Sequence, residues 1–221
     1  MAVAARAQTE TEISPANKLY QQAVVEADRA TALERHGKKL EAIDRYELAG
    51  RLSEASIAEA ERTGIAEQDR PQEVYFRCAT AYLHAGRVLT ALQRDDNRKD
   101  EDLAKAVKYL ETVERLERDR AQRTNQPVNP EIWRVQNAAG YACFLRGELA
   151  QARLHYGSVL EMNPSYRPAE QAIAEINKLE QEQNELFTPQ GPTLQKEKNR
   201  RFLRRIVDTL KLVKDIIPLG L

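Results

Sequence analysis

FLRGELAQARLHYGSVLEMNP, residues 144–164, is the stretch on which the fold reading turns. A helical run meets Gly147, Ala152 follows five residues on, Tyr156 four beyond that, and Asn163-Pro164 closes the stretch. Glycine just past a helix end and proline beyond it are residues that stop helices. The same skeleton stands upstream as Gly37, Ala42 and Tyr46, and as Gly86 with Ala91 or Ala106 before Leu110. Repetition of this kind points to stacked helix pairs, each burying its apolar face against its neighbours. Such stacks usually present binding surfaces and seldom catalytic sites.

The chain has 221 residues, enough for one ordinary domain or one solenoid with appendages. It is 42% hydrophobic and 31% charged, and Ala, Glu, Leu, Arg, Lys and Gln dominate long stretches. These are good helix formers, and no segment alternates apolar and polar strictly, so the expected class is all-α. Lysine plus arginine equals aspartate plus glutamate at 34 each, which argues against bulk electrostatic binding of nucleic acid. The balance is uneven. Residues 194–217 hold eight basic and three acidic groups, a net +5, which leaves −5 for residues 1–193. Cys78 and Cys143 sit in apolar helical patterns and read as buried free thiols of a reducing compartment. The opening MAVAARAQTETEIS has no apolar core of signal-peptide length, and no window is apolar enough to span a membrane. The expected localisation is cytoplasmic.

In order, residues 1–13 read as a disordered arm and 14–187 as a helical domain. Residues 188–193 read as a linker and 194–221 as a basic amphipathic helix. Ser14-Pro15 is a capping hydroxyl followed by proline at the first helical position. Helix one runs to about His36 and helix two from about Lys38 to Arg62. Asp69-Arg70-Pro71 opens helix three, which either closes at Gly86 or continues to Gln93. The charged run 94–102 reads as a solvated loop, and helix four as about 101–120. Asn129-Pro130 opens helix five, Gly147 turns it into helix six, and helix seven covers about 166–187.

Residues 133–168 resemble a tetratricopeptide repeat through Ala139-Gly140, Gly147, Ala152, Tyr156 and Pro164. Residues 23–56 match more loosely through Ala30, Leu33, Gly37, Ala42, Tyr46 and Ala49. Residues 72–113 match through Tyr75, Ala79, Tyr82 and Gly86. There the preferred second-helix alanine is Ala106, with about fifteen residues inserted after the turn. The resemblance implies a helical-hairpin solenoid that holds a protein or peptide segment in a groove lined by each repeat's first helix. By helical phase the groove candidates are Glu73, Phe76, Arg77, Thr80, Arg134, Asn137 and Tyr141. The blander reading is an ordinary solvated face. One subtype of the family clamps a C-terminal carboxylate with Lys, Arg and Asn. Here Tyr141 stands where an asparagine is expected, and the first repeat offers Ala27 and Thr31, so that ligand is not expected. Residues 16–56 also resemble a MIT domain, a three-helix module that binds tails of membrane-remodelling proteins.

The sequence has no phosphate loop, zinc-spaced cysteine set or HExxH motif, and no enzyme activity or cofactor is expected. His36 precedes a glycine directly and His84 nearly so, which suits a helix C-terminus. The aspartates at 95, 96, 100 and 102 lack the glycine and terminal glutamate of a calcium loop. In the last helix Phe202, Ile206, Leu210 and Val213 share an apolar stripe, opposite Arg200, Arg201, Arg204 and Arg205. Three roles stay open for it: covering the solenoid, binding a partner or a second copy, and lying on an anionic membrane surface. The expectation is a scaffold that binds a protein segment. The alternatives are a peripheral membrane protein and a homo-oligomeric structural protein.

Overall fold

The structure, a computed structural model, describes residues 14–93 and 97–186. The arm at 1–13, the linker at 188–193 and the basic segment at 194–221, with Arg200 to Val213, lie outside the described residues. Within these bounds the chain is all-α: α1 Pro15–Arg35, α2 Lys39–Arg62, α3 Gln72–Ala91, α4 Asn97–Thr124, α5 Trp133–Arg146, α6 Leu149–Met162 and α7 Arg167–Leu186. Short 3-10 turns at Glu67–Asp69 and Pro130–Ile132 precede α3 and α5.

Local chemistry sets several helix ends. Ser14 Oγ accepts from the Asn17 backbone N–H at 3.2 Å, capping α1, with Pro15 in the first turn. Gly37 and Gly147 take φ of 77° and 78°, values that L side chains rarely adopt. Around Gly147 the Glu148 N–H reaches the Cys143 carbonyl at 2.9 Å and the Gly147 N–H reaches Phe144 at 3.0 Å. These two bonds satisfy carbonyls that the helix end would otherwise orphan.

Each helix packs on the next in chain order, and α3 also touches α1 and α5. The repeated skeleton is inside: Ala42, Tyr46, Ala106, Leu110, Ala152 and Tyr156 are all at most 2% exposed. Small residues admit the large ones. A Cβ on Gly140 would stand 3.1 Å from the Tyr156 ring.

Gly86 does not close α3, which runs on to Ala91. A Cβ at Gly86 would stand 2.6 Å from Leu103, so this glycine is the contact that lets α4 approach. Ala106 is buried and Ala91 half-buried. α3 and α4 run to 20 and 28 residues. The charged run 94–102 is therefore not all loop, because 97–102 is helix and Asp102 is 6% exposed. His84 lies inside α3 rather than at its end, and burial pushes its imidazole down to about 4. It is a neutral ring stacked on Tyr46 at 5.1 Å, not a charge at a helix terminus. Cys78 and Cys143 are buried and unbridged.

One buried acid ties α4 to its surroundings. Glu117, 3% exposed, accepts from Arg120 at 2.6 and 2.8 Å, from the Asn129 backbone N–H at 2.5 Å and from Gln72 at 3.3 Å. The Arg120 hydrogen bonds, helped by that N–H and by Gln72, hold its carboxyl down at about 2 against burial. A depressed carboxyl stabilises above its unfolded value and loses that stability as pH falls toward its folded one. We expect Glu117→Gln to cost on the order of 3 kcal/mol at pH 7. Urea titrations of the two proteins should converge as pH falls from 4.5 toward 2.

Candidate partner-binding face

Glu73, Arg77, Thr80, His84 and Arg87 follow one another at spacings of four, three, four and three, so they form one stripe along α3. Beside it runs the matching stripe of α1. Two bridges join them. Tyr20 Oη donates to Glu73 Oε1 at 2.6 Å, and Arg87 Nη2 donates to both oxygens of Glu34 at 2.6 and 2.7 Å. Tyr46 Oη donates to Glu34 at 3.2 Å and lies 3.2 Å from the Thr31 hydroxyl. Burial would raise the Glu34 carboxyl, but the hydrogen bonds and charge of Arg87 hold it below its ordinary value. Burial pushes the Tyr46 phenol up to about 12.

At the α5 side Trp133 and Tyr166 meet with ring centroids 4.7 Å apart, and the Arg134 guanidinium lies 5.5 Å over the Trp133 ring. Asn137 Nδ2 reaches Tyr166 Oη at 3.5 Å. The arginines of the face carry acids of their own: Arg77 with Glu73 at 3.4 Å, Arg87 with Glu34 at 2.6 Å, and Arg134 with Glu131 at 2.6 Å. Val24, Ala27, Thr31, Phe76, Thr80 and Trp133 are half-buried here, apolar or hydroxyl-bearing surface among paired charges. This mixture can hold an extended or helical segment through contact area and hydrogen bonds.

Of the groove candidates, Glu73, Phe76, Arg77 and Thr80 share the α3 side, and Arg134 stands on α5. Asn137 and Tyr141 are 3% and 1% exposed, so they are not open contact residues. Nearly the whole of α5 from Val135 to Leu145 is buried, since α5 packs against α3, α4 and α6. Tyr20, Glu34 and Arg87 were missed. Continuing the 73–77–80 stride reaches Arg87 only if the helix runs past Gly86, one of the two readings the sequence leaves open.

We expect the Glu34–Arg87 bridge to be worth about 1–3 kcal/mol in a double-mutant cycle. Arg87→Met alone should cost more than the double change Glu34→Gln/Arg87→Met, because it strands a part-buried carboxylate. Chemical denaturation of the four proteins measures both quantities.

A shallow recess of about 660 Å³ lies on another side of α1, lined by Lys18, Val25, Glu26, Leu48 and Leu52 among others. Among the described residues no cluster of three or more His, Cys, Asp or Glu could hold a metal, and no helix is long and apolar enough to cross a membrane. Scans against protein-family models, curated proteins and solved structures each return no match.

Proposed function

We propose that this chain is a non-enzymatic adaptor that holds a protein segment against the α1–α3–α5 face, its hairpins acting as tetratricopeptide-like repeats. The observation that carries the reading is the α3 stripe from Glu73 to Arg87, bridged to α1 at both ends, on a helix that also packs against α5. On this reading α1, α3 and α5, as first helices of their hairpins, share one surface, as a segment-binding groove requires. Chain-order packing and the buried Gly-Ala-aromatic skeleton support the repeat reading.

The bound segment would place apolar side chains over Phe76 and Ala27. It would meet both signs of charge, since each arginine of the face keeps an acid beside it. Affinity would then come from contact area more than from net attraction.

Capture from cell extract tests this with three baits: the wild-type chain, Arg77→Asp/Thr80→Arg, and Lys108→Asp on α4 as control. Partners held by wild type and the control but lost by the α3 double variant support the reading. Partners retained by the double variant refute it.

A further inference from the structure

The same face has an occupant in the chain itself. We infer that residues 196–217 dock on the α1–α3–α5 face in cis, so that a partner segment must displace them. This deepens the groove reading above and rests on it.

Charge and pattern argue for this occupant. Residues 194–217 carry a net +5 and the rest of the chain −5, so the two attract. Phe202, Ile206, Leu210, Val213 and Ile217 recur at spacings of four, four, three and four, an apolar stripe that needs a surface. The face offers one: Val24 and Ala27 on α1, Phe76 on α3 and Trp133 on α5 are half-buried. It does not repel a basic segment, because Arg77, Arg87 and Arg134 are already neutralised by Glu73, Glu34 and Glu131. The carboxylates of Glu73 and Glu131 remain 60% and 50% exposed, open to further arginines.

Chain length permits the contact. α7 begins beside the face, where Tyr166 just before it packs on Trp133, and runs about 30 Å to Leu186, a length that residues 187–195 must retrace. Residues 187–195 can reach roughly 30 Å when extended. A tether of this length gives an effective concentration in the mM range, so even a weak contact would be substantially occupied. An incoming segment would have to out-compete it, which sets a threshold for binding.

Paramagnetic broadening in the full chain tests the inference. Thr209→Cys carries a nitroxide; Cys78 and Cys143 are buried, and burial raises both thiols, which keeps them from the label. The expected result is at least twofold loss of amide signal at Ala27, Phe76, Arg77 and Thr80, restored by Ile206→Asp/Leu210→Asp. A second sample mixes spin-labelled chain with isotope-labelled chain lacking the nitroxide, and there no loss is expected. The inference fails if broadening is absent, survives the double substitution, centres on Val25 and Leu48 of the recess, or appears in the mixed sample. The last outcome would assign the tail to a second copy. The capture experiment above can fail while this broadening persists, so the two failures are distinguishable.

Discussion

Replacing Tyr156 by alanine should remove about 3–5 kcal/mol of stability. The ring is 1% exposed and among the largest fully buried side chains in the protein. It rests on Gly140, where a Cβ would stand 3.1–3.2 Å from its carbons. α5 and α6 are therefore shaped to each other, and truncation leaves a cavity that glycine cannot fill. In a protein of this size the loss corresponds to a fall in Tm of roughly 10 °C. A thermal melt followed by circular dichroism measures it. α5 packs on α6 and α6 on α7, so the loss should concentrate in these three helices. Hydrogen exchange should quicken there first and leave α1 and α2 nearly unchanged.

The second large effect has the opposite sign. Asp102 is 6% exposed, and its Oδ2 has no hydrogen-bond partner. Burial, with the charge of Glu47 added, pushes its carboxyl up to about 7, although Arg98 and Lys105 oppose the rise. A raised carboxyl contributes stability that is full below its unfolded value near 3.8 and is lost as pH climbs through 7. Above pH 7 the folded protein therefore carries an ill-solvated charge. Asp102→Asn should stabilise by about 2–4 kcal/mol at pH 8 and by almost nothing at pH 4. Denaturant midpoints of the two proteins across pH 4–8 test this. Parallel curves would show that the Asp102 charge is solvated in the folded state. Glu117 provides the contrast on the same helix. Its carboxylate gathers donors from Arg120, Asn129 and Gln72, so it prefers the charged form.

These two acids also mark where sequence reading stops. The glycine turns at 37 and 147 were legible because the cause is local: a positive φ next to a helix end. The buried alanines and tyrosines were legible because helical period alone assigns them to an inner face. Gly86 leaves the end of α3 open in the sequence, since its reason for being glycine is Leu103, which arrives from another helix. Asp102 looks like one more member of a solvated charge run until the fold turns its side of α4 inward. Tyr141 and Asn137 share a helical phase with Arg134, but phase does not reveal how deeply α5 sinks between its neighbours. The α3 stripe was half legible. Glu73 to Thr80 followed from spacing, and Arg87 emerged only once α3 ran past its glycine.

A footprint of a captured segment on isotope-labelled protein tests the central claim most directly. The account predicts that amide shifts cluster at Tyr20, Ala27, Phe76, Arg77, Thr80 and Arg134. A cluster on the other side of the hairpins, around Arg51, Lys108 and Leu154, would contradict it.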